Sequence, residues 1–249
     1  MPKIRYLKIR FSNKLMPWEL PLFRAAVIEA TDRQSTLFHN HGPDDTFLYR
    51  YPKIQYKLTE RKATIICLDD GTDDIHYLLQ NRSLDLRIGD RQETFEIEDI
   101  HIQYPQLHTW RANFQYALKN WQGLNQENYQ KYQALEGEVE RLQFLEKMLL
   151  GNLLAIARDF GLDTTAIPIQ LQITKMKEEK WLGYKGRKVL TFTLNFKTNL
   201  SLPDYVGLGK GVSVGFGSVK RFGGVEEWSG AAATDIGQLA VAKSQIEER

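Results

Sequence analysis

One cysteine, Cys67, stands in 249 residues, so no disulfide can close within the chain. Its apolar setting, Ala63–Leu68, reads as a buried core thiol in a reducing compartment. Long apolar runs are missing too. The most hydrophobic helical stretch carries Glu146, Lys147 and Arg158, which argues against a membrane span. Lys3, Arg5, Lys8 and Arg10 interrupt the apolar residues at the start, which argues against a secretory leader. Charge of one sign is scarce: 33 basic against 31 acidic residues leave +2, so any surface for a polyanion must be a local patch. No HExxH or CxxC set occurs, and Lys210 is followed by Gly211 rather than Ser or Thr, which excludes a nucleotide P-loop. The expectation is a soluble cytoplasmic protein with no metal and no cofactor.

What is present is alternation of strand and helix periods. Ile4–Phe11 alternates as a strand, and Pro17 opens a helical stretch to Ala30 with Leu20, Phe23, Val27 and Ala30 on one face. After the polar turn Asp32–Asp45, Phe47–Leu58 and Lys62–Leu68 read as strands, followed by a short helix to Gln80. Leu84–Ile88 and Thr94–Ile102 then read as strands joined at Gly89-Asp90. The order β-α-β-β-α-β is the split βαβ, or ferredoxin-like, arrangement. The second half repeats it. Trp110–Leu118 is its first strand, and one long helix is expected from about Gln126 to Phe160, with Leu135, Val139, Leu142, Leu145, Leu149, Leu153, Ile156 and Phe160 stepping by three or four as one buried stripe. A hairpin follows over Ile167–Lys177 and Arg187–Thr198, and a last strand ends near Phe222. The predicted class is α+β, two tandem ferredoxin-like (RRM-like) domains over 1–108 and 109–224, with a tail over 225–249.

Gly207 to Phe222 (GLGKGVSVGFGSVKRF) is the most telling segment, with Gly207, Gly209, Gly211, Gly215 and Gly217 in eleven positions. Glycine bares the backbone, and the free N–H groups with Lys210, Lys220 and Arg221 suit a phosphate-bearing strand. The alternation with Val212, Val214 and Phe216 has the strand period, and RNA is the leading ligand. Val214–Val219 keeps part of an RNA-recognition pattern but has Ser218 where a stacking aromatic belongs. A tight turn beside a bulged edge strand, with no ligand, is the plain alternative.

The second feature is Phe38-His39-Asn40-His41-Gly42, leading into Tyr49-Arg50-Tyr51-Pro52-Lys53-Ile54-Gln55-Tyr56-Lys57. Two imidazoles can supply a base and an acid near neutrality. RNA cleavage without a metal needs that pairing, plus a cation for the phosphorane, for which Arg50, Lys53 and Lys57 are candidates. Alternation puts Tyr49, Tyr51, Lys53 and Gln55 on one face of a strand. Solvated loop histidines are the bland alternative.

The HNH turn, YRYPKIQYK and GLGKGVSVGFGSVKR together resemble the CRISPR-associated endoribonucleases of the RAMP superfamily that process repeat RNA. The resemblance implies metal-independent cutting of CRISPR repeat RNA that leaves 2′,3′-cyclic phosphate and 5′-OH ends. It implies catalytic roles for His39 and His41, with Tyr49 and Lys57 as helpers. It implies RNA contacts by Gly209, Lys210, Gly211, Ser213, Lys220 and Arg221, with Arg50 and Lys53 beside them. A larger CRISPR effector complex and a homodimer are further partners it suggests. The main rival is a non-cleaving protein that binds and holds processed repeat RNA. A binuclear metal hydrolase fits poorly, since Gly42-Pro43 separates His41 from Asp44 and Asp45. A protein-protein scaffold is the third reading.

Overall fold

A computed structural model describes residues 3–31, 35–38, 51–81, 83–184 and 186–227. The first unit runs β1 (Tyr6–Lys14), a 3₁₀ turn (Pro17–Glu19), α1 (Leu20–Ala30), β2 (Ile54–Thr59), β3 (Lys62–Leu68), and the short helices α2 (Asp70–Asp74) and α3 (His76–Leu79). A hairpin, β4 (Asp85–Ile88) and β5 (Arg91–Thr94), precedes β6 (Ile97–Gln103). The second unit runs β7 (Thr109–Trp121), α4 (Gln126–Gln133), α5 (Glu138–Asp159), β8 (Leu171–Tyr184), β9 (Arg187–Leu200) and β10 (Ser218–Glu227).

Each unit closes a four-stranded antiparallel sheet, in the orders β2-β3-β1-β6 and β10-β7-β9-β8. Numbered within its own unit, each order is 2-3-1-4 read in one direction, the order of the split βαβ fold. The two units are therefore ferredoxin-like. They differ most between the third and fourth strands, where the first unit has helices α2 and α3 and the β4–β5 hairpin, and the second has the glycine-rich loop.

Period-two patterning explains the first sheet. Leu7, Ile9 and Phe11 of β1 and Ile54 and Tyr56 of β2 enter a core with Phe23 and Val27 of α1. The rings of Phe11, Tyr56 and Phe95 surround Phe23 at 5.1–5.8 Å. Cys67 lies in this core, and burial raises its thiol pKa. In the second sheet Tyr116 and Leu118 of β7 and Phe192, Leu194 and Phe196 of β9 meet Leu145, Leu149, Leu153 and Ile156 of α5. That core also takes Ile4, Tyr6, Ile66 and Leu68 from the first unit, so the units share apolar burial. Among the described residues no helix is long and apolar enough to cross a membrane.

Several expectations are corrected. The helix expected over 126–160 is two, because Gly137 is extended (φ −84°, ψ 138°) and starts α5. Arg141 Nε caps the break by donating to the Leu135 carbonyl at 2.8 Å, and Val139, placed in the buried stripe, is exposed. The strand expected over Thr94–Ile102 is divided at Phe95, whose ring turns into the core. Phe47–Leu58 contributes a strand only from Ile54; 47–50 lie outside the described residues. The last strand continues to Glu227 by absorbing a register shift at Gly223 (φ +71°), and the rest of the tail lies outside the described residues.

Candidate functional site

β2 is the outer strand of its sheet, with one row of peptide groups unpaired by β3. The glycine-rich loop covers it. Tyr56 N–H donates to the Ser213 carbonyl at 3.1 Å, and Tyr56 and Val214 form an isolated parallel bridge. Gln55 Oε1 accepts from Gly207 N–H at 3.0 Å, and the Tyr51 phenol donates to the Gly207 carbonyl at 2.8 Å. Burial raises the Tyr51 pKa, so its phenol stays a donor. From its own unit the loop is held by Lys210 N–H on the Gln122 carbonyl at 2.9 Å and Gly217 N–H on the Asn120 carbonyl at 3.1 Å.

The loop is not the strand that its alternation predicts. Positive φ at Gly209, Gly211, Gly215 and Gly217 folds it into successive turns. The alternation instead records burial, with Val212, Val214 and Phe216 all turned inward. Gly217 has the strictest requirement. Its φ is +62°, and a Cβ there would stand 1.9 Å from the Leu208 carbonyl oxygen.

Much of the expected amide display is spent internally: Gly207, Leu208, Lys210, Val214, Gly215, Phe216 and Gly217 all donate within the protein. Among the described residues, the amides of Gly211, Val212 and Ser213 make no such bond. Three successive N–H groups after a positive-φ glycine, beside the exposed Lys210, form a turn suited to an anion.

The two lysines on the strand differ from the free cations expected. Lys53 Nζ pairs with Asp159 at 2.6 Å and lies 3.6 Å from the centre of the Phe160 ring, tying the units together. Lys57 is 1% exposed and donates to the Val212 carbonyl at 3.0 Å. Burial pulls its pKa down to about 7. Gln55 and Lys57 share the face away from the α1 core, as alternation requires, but that face is covered by the loop.

A stability test follows from Lys57. In the unfolded chain it titrates near its ordinary 10.5, and in the folded chain near 7. Between these values the unfolded state binds more protons, so this residue makes stability rise with pH. The gain is lost as pH falls toward 7. Thermal melts of Lys57→Met at pH 7 and about pH 9.5 should show a smaller rise than wild type. Equal rises would mean that the ammonium is not desolvated.

Of the remaining predicted residues, His39, His41, Tyr49 and Arg50 lie outside the described residues. The described chain resumes at Tyr51, against Gly207. Gly209, Lys210, Gly211 and Ser213 gather at the junction with β2. Lys220 and Arg221 are exposed on β10, and Lys220 Nζ lies 5.8 Å from the Tyr205 ring. Arg221, over Phe114 at 4.6 Å, lines a groove of about 590 Å³ with Tyr6, Lys8, His101 and Trp110. That groove borders β1 and β6, whereas the glycine loop lies along β2 at the other edge of the first sheet. Sequence reasoning missed Tyr51 and Gln55 as loop holders and Asp159 as the partner of Lys53. The available signal was Gln55 and Lys57 at alternate positions in an otherwise apolar strand.

Two ferredoxin-like units in tandem, with a glycine-rich loop of the second docked on the outer strand of the first, define a protein of the RAMP/Cas6 kind. Residues 2–106 match the Cas6b N-terminal domain and residues 108–222 the Cas6b C-terminal domain. The chain belongs to the Cas6b family. A crystal structure of Cas6b superposes with a TM-score of 0.80 at 26% identity, over 88% of this chain and 100% of that one. A second, a CRISPR RNA processing endoribonuclease Cas6b, does so at 0.68 and 24% identity over the same shares, a likeness of fold. An uncharacterized protein of Methanocaldococcus jannaschii is 37% identical over 105 residues, 42% of this chain and 69% of that protein.

Proposed function

We propose that this chain is a metal-independent endoribonuclease that cuts CRISPR repeat RNA. Family membership supports RNA cleavage, since a solved Cas6b is described as a CRISPR RNA processing endoribonuclease. The observation that carries the reading is the docking of the glycine loop on β2. His39 and His41 precede Tyr51 in the chain by twelve and ten positions, and Tyr51 holds Gly207.

In this reading one histidine takes the proton from a ribose 2′-OH, and the oxygen attacks the adjacent phosphorus. The other histidine protonates the departing 5′-oxygen, with Tyr49 assisting. The products carry a 2′,3′-cyclic phosphate and a 5′-OH. With Lys53 paired to Asp159 and Lys57 buried, charge on the phosphorane falls to Arg50, while Lys210 and the amides of Gly211, Val212 and Ser213 hold the backbone phosphates of the bound strand. Gly209, Lys220 and Arg221 complete the contacts to the RNA backbone. The same reading places the protein in the cytoplasm, with a second copy of the chain and a larger CRISPR effector complex as further partners.

The test is incubation with candidate repeat RNA in excess chelator, followed by analysis of the ends. Cleavage at one site, with cyclic-phosphate ends and resistance of a substrate carrying 2′-deoxy at that site, is the expected result. Cleavage that stops in chelator, or that proceeds on the 2′-deoxy substrate, would sink the mechanism. The rival, a protein that holds processed repeat RNA without cutting it, draws on the same amides and Lys210 at the junction. Tight binding with no cleavage would favour it.

A further inference from the structure

We infer that Lys57 is a positioning residue, whose head group beneath the glycine-rich loop holds Val212 and Ser213 against β2 and so presents the loop to RNA. This rests on the reading of the loop as an RNA contact, but not on who performs the chemistry.

The geometry leaves Lys57 no direct access to a substrate. Its side chain is closed off, and its Nζ donates to the Val212 carbonyl at 3.0 Å. Its flanking and directly opposite neighbours on its own face are uncharged, and the diagonal neighbour on β3, Lys62, pairs with Glu98. Gln55 and Thr59 flank it on β2, and Thr64 is its partner on β3, with the Thr59 and Thr64 hydroxyls bonded to each other at 2.6 Å. The nearest cation along that cross-strand row is Arg10, the partner of Thr64 on β1 and paired with Glu98 at 3.0 Å. Across from Lys57 the loop offers Gly207 and Val212. A Cβ on Gly207 would lie 3.0 Å from Lys57 Nζ and 2.4 Å from Val212 Cγ1, so the loop closes on the lysine with no room for a side chain.

Among the described residues Lys57 pairs with no carboxylate, and a buried amino head group without one is a costly way to fill space. Its acceptor comes from the loop, so docking the loop and satisfying the lysine are one event. The Val212 carbonyl it holds precedes the amide of Ser213, within the turn of unbonded amides. The adjacent Ser213 carbonyl accepts from Tyr56 N–H. Removing the lysine head therefore loosens the segment that would meet phosphate, while leaving the acid and base in place.

Lys57→Met keeps the length and apolar stem of the side chain. In the RNA-free protein, hydrogen exchange at the Tyr56 and Val214 amides should speed up by about tenfold, the equivalent of one lost hydrogen bond. Repeat-RNA affinity should weaken by about tenfold, while the single-turnover cleavage rate at saturating protein stays within about threefold of wild type. Unchanged exchange, or unchanged affinity, overturns the inference. So does a saturated rate about a hundredfold lower with affinity intact, because Lys57 would then act in the chemistry. Gly207→Ala, which crowds the same contact from the loop side, should show the same loosening and the same division between affinity and rate. It carries the test should Lys57→Met fail to fold. If wild type cuts no repeat RNA, the proposed cleavage fails, but the exchange measurement still decides the role of Lys57.

Discussion

Alanine at His39 or at His41 should slow single-turnover cleavage of repeat RNA by about a hundredfold or more and leave affinity within a few-fold. In the proposed mechanism the two proton transfers occur in one displacement, and each positioned acid or base typically contributes about 10² to 10⁴ in rate. Because the pair acts as a unit, the double variant should be little slower than the worse single one. Imidazoles titrate near neutrality, so the wild-type rate should pass through a maximum with pH, with one limb lost in each single variant. The measurement uses protein in excess over labelled RNA, with melting curves to confirm folding. If both single variants cut at the wild-type rate, the acid-base assignment is wrong.

Valine at Gly217 gives the second large effect, this time on binding. The residue sits at φ +62°, with the place of a Cβ 1.9 Å from the Leu208 carbonyl oxygen. Leu208 N–H in turn donates to the Gly217 carbonyl at 2.9 Å, so neither strand of this turn can move without breaking the pair. A left-handed conformation costs a branched residue about 1–2 kcal/mol, and the backbone collision raises the destabilisation to roughly 3–5 kcal/mol. For a protein of this size that lowers the melting midpoint by about 6–20 °C. The variant should lose repeat-RNA affinity by about thirtyfold or more, since the displaced loop carries Lys210 and the unbonded amides. A valine variant that binds RNA like wild type would remove the loop from the interface.

The two features differ in how far their residues could be read. The Gly207–Phe222 segment was legible as a tightly packed glycine-rich loop because glycine spacing reports where side chains cannot fit. That alternation could not distinguish a strand from a chain of turns. The same pattern of buried Val212, Val214 and Phe216 serves both, and only the φ values at the glycines separate them. Lys53 and Lys57 were legible as cations but not as partners. Their mates, Asp159 and the Val212 carbonyl, lie more than a hundred residues away. The break at Gly137 was missed because a single glycine interrupts a stripe that remains in phase on either side.

Local periodicity and covalent limits determined the strands of both units, most of their helices, the tandem ferredoxin-like plan and the absence of an internal disulfide. These depend on neighbours within a few residues, which the order of the chain states directly. Which edge the glycine loop covers, which lysine is sealed beneath it and which is drawn to Asp159 were decided by docking one unit on the other. Burial and ion pairing between distant segments depend on surfaces that exist only after each unit has folded.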